Sequence, residues 1–256
     1  MRLTDEQLAS HEEACRKLHA IKDDAFRHIK DSLNGGVKVT EQDVRDLILE
    51  RFSGEDMVAD GDEPIVAVNA HAATPHYFTT PETDVTIKVG DLILIDLWAR
   101  RPGGVYADIT WMGYAGEDVP TEHAERFDLI RRARDEALDF LKQEISSGRW
   151  PKGGDVDKVA RDVIAEDGYG ESFIHNLGHA IDTRVHGSST NLNGYSKADD
   201  RRVHEGLLFS VEPGLYLEGE AGYRTEIDAY VRDGEVVVTG PVQQSIVPLL
   251  DKNSNI

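Results

Sequence analysis

Two acidic residues stand inside apolar strand patterns, and any fold that buries them must neutralise them. The segment 92–97 reads Leu-Ile-Leu-Ile-Asp-Leu, typical of a strand buried on both faces, and Asp96 interrupts it. Asp108 lies in the next strand pattern, and the intervening Arg-Arg-Pro-Gly-Gly predicts a hairpin that sets the two strands side by side. Adjacent buried carboxylates repel each other unless a cation lies between them. The alternative is that one aspartate caps a turn or forms an ion pair with Arg100 or Arg101. When only these two aspartates are considered, this structural interpretation is favoured.

Three histidines lie close together in the second half of the chain. His175, His179 and His186 belong to the segment Ile-His-Asn-Leu-Gly-His-Ala-Ile-Asp-Thr-Arg-Val-His. Strand alternation would place the first two on one face, and His186 would reach back from the following turn. Gly178 would let a ligand or another backbone come close. A single histidine is more often an ordinary core residue, but this grouping makes a role as ligand or catalyst about even with a structural one.

Two glutamates repeat the pattern of Asp96. Glu212 ends the apolar segment Leu-Leu-Phe-Ser-Val-Glu, and Glu226 enters the apolar segment Thr-Glu-Ile-Asp-Ala-Tyr-Val. A structural ion pair, for example with Arg224, is the alternative for either residue. Four carboxylates and one imidazole suit a pair of Mn²⁺, Co²⁺, Fe²⁺ or Zn²⁺ ions better than a thiolate-bound structural zinc. Two ions about 3.5–4 Å apart can share a hydroxide nucleophile and polarise a carbonyl.

The composition excludes several kinds of partner. The 256 residues include 28 basic and 48 acidic side chains, and the resulting charge of −20 repels the phosphate backbone of nucleic acids. The hydrophobic share of 39% is ordinary for a soluble domain, and no run approaches the ~20 apolar residues of a membrane span. Cys15 is the single cysteine, so no intrachain disulfide forms. With a start that lacks a signal-peptide core, this predicts a cytoplasmic protein.

The remaining patterns predict helices packed on a sheet. Helices are expected at Thr4–Leu33, from Thr40 through Ile48, at about Thr121–Ser147 and near Val156–Asp167, with Thr4 and Thr121 as N-caps and Gln7 completing the first capping box. Further strands are expected at Pro64–Asn69, Phe173–Asn176, Leu207–Val211, Thr225–Val231 and Val236–Thr239. Without a linker or repeat, residues 1–256 are expected to form one α+β domain, with helices over a curved antiparallel sheet.

The motifs, in this order, resemble the catalytic domain of the pita-bread metallopeptidases, which include methionine aminopeptidase, aminopeptidase P, prolidase and creatinase. The resemblance runs from about Val66 to Thr239. It implies the pita-bread fold and two divalent metal ions, with metal ligands Asp96, Asp108, His179, Glu212 and Glu226. Asp108 and Glu226 resemble the bridging ligands, and Glu212 resembles the ligand that is also the general base.

The resemblance also implies a set of substrate-binding residues. His76 in Pro-His-Tyr and His186 in Val-His resemble the histidines that contact substrate and stabilise the tetrahedral intermediate. His175 and Arg224 match supporting positions beside the substrate. The motifs Pro-His-Tyr, Glu-Pro-Gly-Leu-Tyr and Arg-x-Glu favour the aminopeptidase P and prolidase branch.

The chain departs from the family pattern around the ligands. Asp108 follows Asp96 by 12 residues, one more than usual, and the turn at 100–104 is expected to absorb the extra residue. Three positions differ from the family: Trp111 replaces the usual arginine, Ala180 the usual glycine and Gly187 the usual glutamate. These differences are expected to alter the pocket rim more than the metal ligands. The separate N-terminal domain of the proline-directed branch has no expected counterpart, because about 60 residues, with the pattern of two helices, precede the first matching strand.

The resemblance implies a metal-dependent aminopeptidase or dipeptidase that hydrolyses the first peptide bond of short Xaa-Pro peptides. Glu212 would relay the proton, and His186 with a metal would stabilise the oxyanion. Mn²⁺ is the favoured metal, with Co²⁺, Zn²⁺ or Fe²⁺ as alternatives, and a homodimer is the expected assembly. A methionine aminopeptidase-like or creatinase-like C–N hydrolase is one alternative activity. A pita-bread binding module without turnover is the other.

Overall fold

A computed structural model describes residues 3–251, and four α-helices lie within this range. Their bounds are Asp5–Asn34 for α1, Glu41–Gly54 for α2, Thr121–Ser146 for α3 and Gly153–Glu166 for α4. The expected capping box of α1 is confirmed, because the Thr4 side chain accepts from the Gln7 amide and the Gln7 side chain accepts from the Thr4 amide. Thr121 is not a cap, because the helix already includes it and Pro120 occupies the N-cap position.

Nine strands form three sheets within the described residues. The strands are β1 Ile65–Val68, β2 Leu92–Ala99, β3 Ala107–Tyr114, β4 Leu208–Val211, β5 Gly214–Leu217, β6 Ala221–Arg224, β7 Ile227–Arg232, β8 Glu235–Thr239 and β9 Val247–Pro248. The sheet orders are β1-β2-β3-β9, β4-β7-β8 and β5-β6. All pairs are antiparallel except β3 with β9. The antiparallel expectation therefore fails only at this edge.

The β2–β3 hairpin orients the two aspartates. Asp96 pairs with Thr110, and Trp98 pairs with Asp108. Because side chains alternate across a strand, all four project from the same face of the hairpin. On the opposite face, Ile93, Ile95 and Leu97 pack into the core formed with α1 and α2. One face of β2 thus supplies core and the other carries the acidic groups.

The segment predicted as a strand at Phe173–Asn176 has no strand partner. A short 3₁₀ turn, Gly170–Ser172, leads into an irregular stretch that α4 side chains hold in place. Arg161 donates to the carbonyl oxygens of Phe173 and His175 at 2.7 and 2.8 Å. Asp157 accepts the Leu177 amide at 2.8 Å. Side chains thus satisfy backbone groups that a sheet ladder would otherwise pair.

Helices α3 and α4 cover the sheet that contains β4 and β7. Their buried residues share a core with β4, β7 and the segment 173–180. The N-terminal end of β7 meets the β2–β3 hairpin, since the Glu226 amide donates to the Thr110 carbonyl at 3.1 Å. Along residues 3–251, no helix combines the length and apolar character needed to cross a lipid bilayer.

Candidate metal and substrate site

Three predicted metal ligands converge where the two larger sheets meet. One ligand atom from each of Asp108, His179 and Glu226 lies within 4.8 Å of the other two. His179 Nε2 is 3.6 Å from Asp108 Oδ2 and 3.3 Å from Glu212 Oε1, which brings a fourth predicted ligand to the same point. These spacings suit carboxylates and an imidazole gathered around a cation.

Asp96 completes the acidic cluster from β2. It is 8% exposed, and its Oδ2 accepts a hydrogen bond from Arg224. Within residues 3–251, the buried Oδ1 atoms of Asp96 and Asp108 have no hydrogen-bond partner. Buried carboxylate oxygens are almost always bonded, so two unpartnered ones in the same cluster match the ligand set of a hard divalent ion. The donor set therefore fits the metals that the sequence predicted.

The electrostatics of the cluster call for positive charge. Burial raises the pKa of Asp96 to about 7, raises that of Glu212, and raises that of Glu226 well above the usual range. Burial opposes the charged form of His179, but the nearby carboxylates of Asp108 and Glu212 raise its pKa to about 9. With only one imidazole and one guanidinium beside them, these four acids cannot all be ionised without a large cost in free energy. A pair of divalent ions would favour the ionised carboxylates and the neutral imidazole.

Two hydroxyl groups that the sequence did not single out form hydrogen bonds with predicted metal ligands. Thr110 donates to Glu226 Oε2 at 2.7 Å, and Ser210 donates to Glu212 Oε1 at 2.9 Å. Ser210 Oγ also accepts the His179 amide at 3.0 Å. Such bonds fix the ligand rotamers and strengthen metal binding. A signal existed in the strand period, because each hydroxyl lies two residues from an acidic ligand.

A further buried acid, Asp228, lies beneath the cluster. It is fully buried, and its Oδ2 accepts the Asp108 amide at 2.8 Å. Burial and the nearby Asp108 charge raise its pKa well above the usual range. It therefore braces the Asp108 backbone from β7, and its position two residues after Glu226 was the available signal.

Arg224 and His175, predicted to contact substrate, form a network with Tyr216. Arg224 donates to Asp96, to Thr110 Oγ1 at 3.0 Å and to the Tyr216 hydroxyl at 3.0 Å. The Tyr216 hydroxyl lies 2.6 Å from His175 Nε2, and His175 Nδ1 lies 2.7 Å from the Asn176 carbonyl oxygen. Burial lowers the pKa of His175 to about 3, so the ring is neutral and accepts from Tyr216. Both residues line the cavity.

The other two predicted substrate residues lie at the cavity mouth. His76 and His186 are exposed and line the same cavity as the predicted metal ligands. The His186 ring lies edge-on to His179, with centroids 4.4 Å apart. The structure therefore brings all predicted site residues to one cavity of about 490 Å³, while their roles stay predictions. Its apolar lining includes Ile65, Trp98, Val185 and the 55%-exposed Phe78.

The family model of metallopeptidase family M24 matches residues 12–233, which is most of the chain. This chain belongs to the M24 family. Among its relatives, an Xaa-Pro dipeptidase from Lactobacillus helveticus is 34% identical over 191 residues, covering 74% of this chain and 48% of the relative. The chain therefore spans about half the length of that relative.

Solved structures agree with the M24 assignment. An X-Pro aminopeptidase from Thermotoga maritima matches with a TM-score of 0.80 at 28% identity, covering 97% of this chain and 64% of that one. An X-prolyl aminopeptidase from Caenorhabditis elegans, described as a cytosolic enzyme with a di-nuclear active site, matches with a TM-score of 0.78 at 20% identity. It covers 99% of this chain and 42% of that one. The predicted pita-bread fold is confirmed.

Two departures of this M24 chain have local explanations. Trp111 does not reach the pocket rim, contrary to expectation, because it packs on α1 with Lys22 Nζ 3.8 Å from its ring centroid. Gly187 donates to the Ala180 carbonyl, and an added Cβ would lie 2.9 Å from that oxygen and 3.0 Å from Asp182 Oδ2. Asp182 therefore fills the space of a side chain at 187, and it accepts the amides of Arg184 and Ser188 on either side of His186.

Proposed function

We propose that the chain is a dinuclear-metal peptidase that hydrolyses the first peptide bond of short peptides with proline in second position. The observation that carries the proposal is the pair of unpartnered Oδ1 atoms of Asp96 and Asp108 beside His179 and Glu226. The names of the Lactobacillus and Thermotoga relatives support the Xaa-Pro preference.

The metals would be held by Asp96, Asp108, His179, Glu212 and Glu226. Two divalent ions, when bound, supply Lewis acidity toward the substrate carbonyl and an acidified water. Ser210 and Thr110 keep the glutamate ligands in their orientations.

Proton transfer is assigned to Glu212. Its carboxylate lines the cavity, accepts a hydrogen bond from Ser210 and lies 3.3 Å from His179 Nε2, so it is held beside the proposed metals where a general base must act. Glu212 therefore takes the proton of the attacking water and passes it to the leaving nitrogen. The ring centroids of His186 and His179 are 4.4 Å apart. From this position the imidazole N–H of His186 would stabilise the developing oxyanion. His76 at the mouth and the Arg224–Tyr216–His175 network orient the peptide.

Several finer features belong to the same proposal. Mn²⁺ is the proposed metal, because an oxygen-rich site with one imidazole suits it. The chain is proposed to be a single catalytic domain in the cytoplasm, supported by the buried, unpaired Cys15. A homodimer is the proposed assembly, which sedimentation would test.

The decisive experiment compares hydrolysis of Ala-Pro, Ala-Pro-Ala and Met-Ala-Ser by chelated protein and after addition of Mn²⁺, Co²⁺ or Zn²⁺. The expected result is metal-dependent cleavage of the proline peptides. Preferential cleavage of Met-Ala-Ser would instead support a methionine aminopeptidase-like activity. Creatine is included to test for a creatinase-like activity on a non-peptide C–N bond. If the protein binds metal but cleaves none of these substrates, the hydrolase assignment is overturned in favour of a binding module.

The role of Glu226 is tested by Glu226→Gln, which keeps the Thr110 hydrogen bond but removes a charged bridging ligand. We expect kcat/KM to fall more than about 100-fold, together with loss of metal stoichiometry. Glu218→Gln, which makes the same change on an exposed residue, is the matched control. Turnover of Glu226→Gln close to that of the control would refute the bridging role.

A further inference from the structure

An indole lies on the ligand-bearing face of β2. Trp98 follows Asp96 by two residues, pairs with Asp108 across the hairpin and lines the cavity. It is half-buried, and both Trp98 and Val185 pack against the same buried cluster and line the cavity. Trp98 therefore lies beside both aspartates on the same face of the hairpin. Under the proposed function, it lies beside the residue whose carbonyl is attacked.

A free carboxylate lies at the mouth of the same cavity. Asp62 is exposed, lines the cavity and lies close enough to His186 for its charge to act on that imidazole. Across residues 3–251, its side chain has neither a hydrogen bond nor an ion pair. By contrast, nearby Asp60 is bound by Arg100 and by the Tyr106 hydroxyl. Asp62 is thus available to a cationic ligand.

We propose that the cavity selects peptides whose first residue is lysine or arginine. The aliphatic stem lies along Trp98 and Val185, and the cationic head reaches Asp62. Lysine and arginine combine an apolar stem with a charged tip, and an indole face also attracts a cation. The net charge of −20 favours the approach of such peptides. This inference rests on the proposed function for the position of the first residue.

The test uses Lys-Pro, norleucine-Pro and Ala-Pro with Mn²⁺-loaded protein. Norleucine keeps a linear aliphatic chain but lacks the charge, so the Lys-to-norleucine ratio of kcat/KM measures the effect of the positive charge, and the change of this ratio in Asp62→Asn measures the part due to Asp62. Because the carboxylate is exposed, we expect a ratio of about three to five that declines between 0.05 and 0.5 M salt. Norleucine-Pro should exceed Ala-Pro about tenfold through contact with Trp98.

Two variants separate the charge from the apolar wall. Asp62→Asn should bring the Lys-to-norleucine ratio to about one, whereas Glu63→Gln, the same charge change at a residue paired with Arg45 outside the cavity, should keep it. Trp98→Phe should lower the norleucine-to-alanine ratio and leave the Lys-to-norleucine ratio above one. A Lys-to-norleucine ratio of one in the wild type, or one that Asp62→Asn does not change, would overturn the inference.

The failure of the proposed function is distinguishable from the failure of this inference. If none of the peptides is cleaved, the peptidase proposal fails, and the same comparison is made from dissociation constants measured by calorimetry. Tighter binding of Lys-Pro than of norleucine-Pro, lost in Asp62→Asn, would uphold the selectivity of the cavity. Equal binding of the two peptides would overturn it.

Discussion

Replacing a metal ligand should stabilise the metal-free protein. Asp96 is a nearly buried carboxyl, and burial raises its pKa from 3.8 to about 7, more than the Arg224 contact can offset. In the chelated protein, Asp96→Asn removes the ionisable group while retaining an oxygen that can accept from Arg224. We therefore expect the variant to unfold at higher denaturant concentration than the wild type at neutral and alkaline pH.

The magnitude follows from the pKa difference. A carboxyl whose folded pKa is raised contributes stability that is present below its unfolded pKa and is lost as the pH rises through the folded value. For Asp96 this window runs from about pH 4 to pH 7. Each unit corresponds to about 1.4 kcal/mol, so ionisation of Asp96 costs the folded state about 4 kcal/mol once the window has been crossed. About 2–3 kcal/mol of this cost falls between pH 5 and pH 8.

The assay is urea unfolding of wild type and Asp96→Asn in excess chelator at pH 5, 6, 7 and 8. The difference between their unfolding free energies should grow by about 2–3 kcal/mol in favour of the variant from pH 5 to pH 8. Groups common to both proteins, such as the histidines of the core, cancel in this difference. Saturating Mn²⁺ should reverse the order, because the wild type keeps the full ligand set and gains more from binding.

A flat difference between pH 5 and pH 8 would refute the reasoning. It would mean that Asp96 ionises in the apoprotein at its ordinary pKa, with Arg224 offsetting the effect of burial. A difference that grows in the opposite direction would mean that Arg224 depresses the pKa of Asp96 and that the pair stabilises the fold without metal.

Two further substitutions test buried groups outside the cluster. His11 is fully buried, and burial lowers its pKa to about 4, so its stabilising contribution is present above pH 6.5 and is lost as the pH falls. Between pH 7.5 and pH 5 the wild type should therefore lose about 2 kcal/mol more in urea unfolding than His11→Gln, and equal losses would contradict this. Glu41→Ala should cost about 2–4 kcal/mol, because the Val68 amide and the Tyr77 hydroxyl lose their acceptor. Since Tyr77 adjoins His76, kcat/KM should also fall while metal content persists, and unchanged unfolding in urea would contradict the prediction.

The candidate acids stand out in the sequence because they break local apolar patterns, whereas the full ligand set was implied by the family resemblance and stays a prediction. Asp96 interrupts an apolar run, and Glu212 and Glu226 lie at the ends of apolar segments. A buried charge is costly, so its presence in such a pattern already implies a partner. The hairpin chemistry between Asp96 and Asp108 then gave the correct strand pairing.

The supporting contacts were not readable because they join distant parts of the chain. Thr110 donates to a glutamate 116 residues away, and Asp228 accepts an amide 120 residues away. The two-residue spacing from a predicted ligand could have singled out Thr110 and Asp228, but no local pattern names the distant group to which each one bonds. The short β5–β6 hairpin was missed for a similar reason, since the motif around Glu212 ends in Pro-Gly, which predicted a break rather than another strand.

The two halves of the site are held by different kinds of interaction. Asp96 and Asp108 lie on paired strands, whose ladder sets their spacing. His175 and His186 lie on irregular stretches that are ordered by side-chain bonds from Asp157, Arg161 and Asp182, whereas the backbone at His179 is bonded to β4. Losing one such bond frees a few residues, whereas displacing an aspartate requires the hairpin to separate. Substitutions of these bracing residues should therefore change substrate affinity before they abolish metal binding, and evolution of a new substrate range can proceed on these stretches while the ligand face of β2 and β3 stays fixed.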